Sequence, residues 1–438
     1  MSRTKILMAT HVPFWRCETG AQQRMLHLVQ GISDDSFGDK ACQVQTFFIG
    51  VPSDTDKALA KQQGLDVEFY SCDRVPDGVR KRIKWHMEGT IHLVRQAFRG
   101  RDDLGKVEQP MKLADFQWPW AVEAFSECVT KFQPEAIIFQ YVTMSYLLEG
   151  LSQQQRAEIR CVVDTHDVLS KRQEQFEQFG FSHWIDISEE EESIELQRFD
   201  AALAIIDRER PTFQSMAADI DVMTVSHSLA SITRKVGAAD QAERTSSDSL
   251  LKVGYFGSAN HSNGHALVKF VRKVWTTLRN QNADMQLVIA GSICDWLMFH
   301  EENRFSGDES MSLWIDLSTD KRVTLLGKID DPYDFYSQID VAINPVEFGT
   351  GLKIKTCEAL AYGVPSVITS SGNQAIPAEA ADAVCACDSV ADMVPMLFAM
   401  SLDRQQVGVM QKSAREIAES VFTDEVCYGE LVDWFQKV

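Results

Sequence analysis

Short apolar runs alternate with longer stretches in which apolar residues recur every three or four positions, and the alternation continues past residue 360. KILMAT (5–10), VQTFFIG (44–50), VEFYSC (67–72), AIIFQY (136–141), RCVVDT (160–165), ALAII (202–206) and DVMTV (221–225) are too continuously apolar for strands with one wet face. They predict strands buried on both sides. Helical patterns lie between them, including 20–32, 80–99 and 120–132. Strands separated by helices in this way predict a parallel sheet covered on both faces.

The pattern stops at 237–249, GAADQAERTSSDS, which is polar, small and without an apolar face. Such composition predicts a linker. Beyond it the alternation restarts with LLKVGYFG (250–257), MQLVIAG (285–291), RVTLLG (322–327), DVAINP (340–345) and PSVIT (365–369). The helix predicted over 264–279 sets Ala266, Leu267, Phe270, Val271, Val274 and Trp275 on one stripe. The expected organisation is therefore two parallel α/β units, 1–236 and 250–415, followed by C-terminal residues 416–438. A chain of 438 residues also exceeds what one ordinary core accommodates. Ligands in such sheets bind beyond the carboxyl ends of the strands, and two units offer a cleft between them.

One strand end carries unusual chemistry. DVAINP (340–345) leads into VEFGTG and then LKIKTCEALAYGVP, in which a helix is predicted from about Leu352 to Tyr362, ending at Gly363 with Pro365 beyond. Gly349, Thr350, Gly351 and Leu352 form an entry whose backbone amides suit an anion at a helix N-terminus. Lys353 and Lys355 add full charges, which together with the amides suit a diphosphate. Glu358 follows on the same face, where its carboxylate would accept hydrogen bonds from vicinal hydroxyls such as those of a ribose. The plainer reading, a loop with a surface ion pair between Lys355 and Glu358, is worth about 0.2–0.5 kcal/mol. It leaves the coincidence of glycines, lysines and glutamate at a strand end unexplained.

Charge and cysteine usage narrow the classes. With 63 acidic and 43 basic residues the net charge is −20, against nonspecific binding to a nucleic-acid backbone. Ten cysteines without a Cys-x-x-Cys pair point to reduced thiols and a cytoplasmic protein, not a disulfide framework or zinc site. No apolar stretch approaches the roughly 18–20 residues of a spanning helix. Residues 79–101 depart from the acidic average, with seven Lys or Arg, one acid and interleaved Trp85 and Phe98. This stretch reads either as a core-facing helix with a solvated basic side or as a surface for an anionic acceptor or the inner face of a membrane. The acidic run at 188–199 has a structural explanation, a capping box from Ser188 to Glu191.

GTGLKIKTCEALAYGVPSVITSSG (349–372) resembles the donor signature of GT-B fold, family 4 (group 1) glycosyltransferases, with Glu358 heading the family's EALA-x-G-x-P run. ETGAQQRMLHLVQGI (18–32) is similar to the family's glycine loop and first helix, with Gly20 at the glycine position. VVDTHDV (162–168) resembles its His-Asp strand end, and VGYFGSANHSNG (253–264) its first donor-side strand and loop. The pattern departs in one place: the family shows two glutamates separated by seven residues, and Thr350 stands where the first belongs. Glu347 lies three residues earlier still.

The resemblance implies two Rossmann-like domains facing a cleft, with a C-terminal helix crossing back to the first. It implies transfer of a sugar from a nucleoside-diphosphate sugar to a glycan, lipid-linked or protein acceptor, with retention and with neither metal nor cofactor. A nucleotide-sugar epimerase of the same fold and a nucleotide-sugar binding protein without turnover are the alternatives. Gly20, Gly257, Asn263, Gly349, Thr350, Gly351, Leu352 and Glu358 are then expected to hold the donor. Lys353, Lys355 and His166 are the expected catalytic groups. His166 also has a structural reading, an imidazole held by Asp164 or Asp167 at a strand end.

Overall fold

The computed structural model describes residues 3–70, 110–178, 180, 183–236, 250–304, 313–348, 352–373, 376 and 378–437. The expected helix 80–99, the basic stretch 79–101, the linker 237–249 and residues 349–351 of the glycine entry lie outside them.

The first unit is a seven-stranded parallel sheet of β1 (Lys5–Thr10), β2 (Gln43–Ile49), β3 (Val67–Tyr70), β5 (Ala136–Gln140), β6 (Arg160–Asp164), β8 (Ala201–Ala204) and β9 (Asp221–Thr224). Its order is β3-β2-β1-β5-β6-β8-β9. Both faces are covered. Leu7, Ala9 and Phe47 point into one core, while Ile6, Met8 and Phe48 point into the other. Two short strands that periodicity does not announce, β4 (Met111–Lys112) and β7 (Ile185–Asp186), pair with each other beside the sheet. Each is only two residues long, too short for a period to register.

The second unit is a six-stranded parallel sheet in the order β12-β11-β10-β13-β14-β15. Its strands are β10 (Leu251–Phe256), β11 (Met285–Ala290), β12 (Val323–Gly327), β13 (Val341–Asn344), β14 (Ser366–Thr369) and β15 (Val384–Cys387). The helix expected at 264–279 begins earlier, at His261, because Asn260 caps it by accepting from the Asn263 amide. It passes through a π-helical turn at Val271–Trp275, and its predicted stripe is buried throughout. In both sheets the strand order reverses once, between β1 and β5 and between β10 and β13. Crevices open at the carboxyl ends of such reversals.

The helix Asp424–Gln436 returns to the first unit, where Tyr428, Leu431, Val432 and Phe435 fill the core beside Ile6, Met8 and Leu28. Gly31 makes this docking possible, since a Cβ there would lie 2.3 Å from the Tyr428 ring. The segments near 228 and 422 run side by side. Leu229 N–H donates to Phe422 O (2.8 Å), Ser228 Oγ to Asp424 Oδ1 (2.6 Å), and the Tyr428 hydroxyl accepts from Ser228 N–H (3.1 Å). The nine cysteines among the described residues are free thiols. No helix among the described residues is long and apolar enough to cross a membrane.

Inside the first unit Arg24, on the helix Gly20–Ile32, and Asp164, at the end of β6, form an ion pair at 2.9 Å with no exposure of either side chain. Arg24 also donates to Ser226 O at 2.8 Å. Removing one partner of such a pair leaves a buried charge uncompensated and costs about 3–5 kcal/mol, whereas replacing both by apolar groups is often close to neutral. Asp164→Asn should therefore lower the urea midpoint strongly with an unchanged slope. The double variant Arg24→Met, Asp164→Leu should recover much of the loss.

Candidate functional site

The donor-signature helix forms at Ile354–Ala361, beginning two residues later than the sequence pattern suggests. Its C-terminus follows the expected glycine logic. Gly363 takes φ +70°, its N–H reaches Leu360 O (2.8 Å), and the Val364 N–H reaches Ala359 O (2.8 Å). These two bonds make a Schellman motif. At the other end Asn344 Nδ2, on the last residue of β13, donates to Thr356 Oγ1 at 3.1 Å and fixes the helix start against the strand.

Lys353 and Lys355 are partly buried at this start, and Glu358 is buried at 4% exposure. Glu358 is thus no member of a surface ion pair. Lys355 Nζ donates to Asn263 Oδ1 at 2.6 Å and lies 4.8 Å from the centre of the Tyr255 ring. Asn263 is itself oriented by Ser258, whose carbonyl accepts from Asn263 Nδ2 at 3.0 Å. Gly257 closes the same loop: its N–H donates to Ala290 O, and its carbonyl accepts from Ile293 N–H. Tyr336, buried at 1% exposure, shares its hydroxyl between Lys355 O (3.2 Å) and the Glu358 carboxylate.

The first unit closes onto this helix. Thr19 and Gln22 form a capping box that pins the start of the helix Gly20–Ile32. A Cβ on Gly20 would stand 2.8 Å from Ile354 Cδ1, so the absent side chain permits the close approach. Gln23, three residues on, hydrogen-bonds Glu358. Glu18 pairs with Lys328 at 3.1 Å, and Phe176 packs on Phe348 with ring centres 5.4 Å apart.

Burial sets the charge states. It lowers Lys355 to about 7, helped by Lys353, and lowers Lys353 to about 8, helped by Arg172. Burial also raises Glu358 to about 7 against the hydrogen bonds from Tyr336 and Gln23. Two cations and one carboxylate therefore sit close to their titration points near neutral pH, a pattern that clusters at functional sites.

The structure brings Gly20, Gly257, Asn263, Leu352, Lys353, Lys355 and Glu358 to the facing strand ends of the two sheets. Gly349, Thr350 and Gly351 fall outside the described residues. Glu347, the nearest acid before the signature, is paired with Lys269. His166 belongs to the opposite edge. Its Nε2 donates to Gln140 Oε1 at 2.6 Å, it stands 3.7 Å from Asp164, and its ring stacks on Tyr141 with centres 4.2 Å apart. Asp167, the other acid of that motif, pairs with Arg172.

Gln23, Tyr336 and Tyr255 were not singled out from the sequence. Glutamine and tyrosine carry no charge signature, and Gln23 becomes visible only once the two sheets face each other. The same holds for a row of rings leading from the first sheet. Tyr141 meets Trp184 (5.6 Å), Trp184 meets Phe116 (5.6 Å) and His183 (5.4 Å), and His183 meets Phe176 (5.3 Å), which reaches Phe348. Among the described residues no group of His, Cys, Asp and Glu is arranged to hold a metal ion.

Residues 251–398 match the family profile described as glycosyl transferases group 1. No curated protein matches the chain in sequence. Among solved structures the chain is similar to the Anabaena protein Alr3699/HepE in complex with UDP and glucose, at TM-score 0.65 and 13% identity over 99% of this chain and 100% of that one. It is similar to sucrose-phosphate synthase (tll1590) from Thermosynechococcus elongatus at TM-score 0.65 and 13% identity, over 99% and 98% of the two chains. A glycosyltransferase from Rickettsia africae aligns at TM-score 0.62 and 10% identity, over 100% and 99%. At such identities the likeness is one of fold. The fold is the GT-B arrangement that the sequence resemblance implied, and the family resemblance holds across the second sheet.

The buried imidazoles generate a test of this geometry. Burial lowers His166 and His183 to about 4, and His227, with no exposure, well below its ordinary value. Each folded-state value lies below the unfolded 6.5, so their stabilisation is complete above 6.5 and is lost as pH falls toward about 4. The Tm of the wild-type protein should drop faster across that window than that of His166→Gln. Parallel curves by scanning calorimetry would contradict the assigned burial of the neutral ring.

Proposed function

We propose that this chain is a glycosyltransferase that binds a nucleoside-diphosphate sugar on the helix Ile354–Ala361 and transfers the sugar to a hydroxyl held by the first sheet. The carrying observation is the helix itself. At the carboxyl end of β13 it presents two partly buried lysines at its mouth and a buried glutamate one turn inside, with the first unit's glycine turn lying against it. The family match across residues 251–398 supports the reading. The Anabaena protein's complex with UDP and glucose makes a uridine nucleotide the first donor to try.

In this reading Glu358 accepts from the ribose hydroxyls, and Lys353 and Lys355 face the diphosphate together with the amides of 349–352. Gly257 and Asn263 shape the neighbouring loop, and Asn263 aims Lys355. As the acceptor oxygen bonds to the anomeric carbon, the carbon–oxygen bond to the diphosphate breaks. Its electron pair stays with the leaving group, and the hydroxyl proton passes to a phosphate oxygen. Donors already aimed at that growing charge lower the barrier, one such donor being worth about 3 kcal/mol in other enzymes. Retention, and transfer without metal or cofactor, are part of the proposal, as is an accessory role for His166 beneath the acceptor edge. Release of free nucleoside diphosphate on adding acceptor separates this activity from epimerisation and from binding alone.

Glu358→Gln preserves shape and should weaken nucleotide binding by about 1–3 kcal/mol, the cost of a lost charged hydrogen bond. An unchanged dissociation constant by calorimetry removes the ribose role. The lysines make a second prediction. At pH 8, with Lys353 near 8 and Lys355 near 7, both are partly neutral, and an arriving diphosphate favours their charged forms. Nucleotide binding at pH 8 should therefore take up protons, seen as a binding enthalpy that varies with the ionisation enthalpy of the buffer. Lys355→Met should reduce that uptake and slow turnover; wild-type uptake in the variant would show that the phosphates lie elsewhere.

A further inference from the structure

Between the two units lies a group of charges that the proposed chemistry leaves unused. Arg172 stands on the helix Leu169–Gln178, which follows the carboxyl end of β6. Its Nη1 donates to Asp167 Oδ2, while its Nε is buried with no hydrogen-bond partner among the described residues. The guanidinium lies over the Phe176 ring, 5.6 Å from its centre. Phe176 in turn packs edge-on to Phe348 of the second unit, with 88° between the rings. Phe348 stands between β13 and Lys353 in the chain, so the stack leads from Arg172 to the mouth of the donor helix. Arg172 also comes near enough to Lys353 to act on its charge. Burial first and Arg172 second lower Lys353 to about 8, against the opposing pull of Asp167 and Glu209. Glu209, on the turn Asp207–Glu209 past β8, and Asp167 are both buried. Lys353 from the second unit thus meets one cation and two carboxylates from the first.

We propose that Arg172 is a third cation of the donor site, supplied by the first unit, which holds the diphosphate from the side opposite Lys353. The inference rests on the donor-site reading and adds a residue to it. Two like charges brought face to face across a crevice repel each other unless an anion lies between them, and a diphosphate is such an anion. Asp167 and Glu209 serve the empty site, where they balance Arg172 and Lys353 while no phosphate is present. A guanidinium carries five N–H donors in a fixed fork, so Arg172 can keep one on Asp167 and offer Nε to a phosphate oxygen. The Phe176 ring beneath it restricts how the fork turns, and Phe348 ties that ring to the second unit. As the bond between sugar and diphosphate breaks, charge grows on the leaving group. A donor already in place there is worth more in the transition state than in the ground state.

The test compares UDP with uridine, which lacks the phosphates, on the full chain by calorimetry and ligand-observed NMR. Arg172→Ala should raise the UDP dissociation constant about ten- to a hundredfold, as for a lost charged hydrogen bond, and leave that of uridine within about twofold. Arg172→Lys should restore part of the loss, since it keeps the charge without the fork. Asp167→Asn breaks the same ion pair from its other side. It should hold or tighten UDP, because a competing carboxylate is gone. Should Arg172→Ala fail to fold, Arg172→Gln carries the same comparison. If Arg172→Ala weakens uridine as much as UDP, or Asp167→Asn weakens UDP as much as Arg172→Ala does, the pair is structural only and the proposal is overturned. Wild-type UDP affinity in Arg172→Ala, beside a loss in Glu358→Gln, overturns the role of Arg172 and leaves the donor site standing. A wild-type protein that binds neither UDP nor another nucleoside diphosphate overturns both.

Discussion

Arg24 and Asp164 meet where water does not reach, and much of the cleft is positioned from that meeting. Arg24 lies one residue beyond Gln23 and four beyond Gly20, so fixing its guanidinium fixes the rotation and height of the first helical turn. Asp164 ends β6, two residues before His166. One ion pair thereby relates the helix that lies against Ile354–Ala361 to the strand end that carries the aromatic edge. Its value is geometric. Two charges removed from water recover little net free energy by attracting each other, but they tolerate few alternative arrangements.

On the facing unit the same low polarity acts on chemistry. Lys353, Lys355 and Glu358 would each be fully charged in water at pH 7; burial brings all three toward neutrality. In the proposed reading, a site so prepared would bind a diphosphate by changing proton occupancy as well as by attraction. The arrangement costs stability in the absence of ligand, since partly dehydrated charges must be kept close together. Asn263, Tyr255 and Tyr336 reduce that cost by supplying polar or aromatic contacts to groups that have lost water.

Much of the fold was legible because parallel strands buried on both faces leave continuous apolar runs. β1 and the helix Gly20–Ile32 appear where periodicity put them, and the other long strands agree within a residue or two at either end. β4 and β7 stayed hidden because two residues have no period. Within the site, glycines and charges announced themselves through spacing along one segment, as at Lys353, Lys355 and Glu358. The neutral partners did not. Gln23 meets Glu358 across more than three hundred positions, and Trp184 becomes part of an edge only when β7 pairs with β4. Linear spacing records what a single helix or loop needs; it holds no record of what another unit brings.

The return of the helix Asp424–Gln436 has a consequence for how the molecule is made. Gln436 Nε2 donates to Thr4 Oγ1 across 432 positions, and the apolar face of β1 is covered by Tyr428 and Leu431. A chain emerging from the ribosome therefore finishes its first sheet with one face covered only in part, by the helix Gly20–Ile32 and its neighbours, and carries the uncovered remainder through synthesis of the entire second unit. Contacts of such long sequence separation close slowly and leave apolar surface open to other chains meanwhile. Domain-by-domain completion during translation is closed to this topology: the first unit is sealed only by residues made after the second.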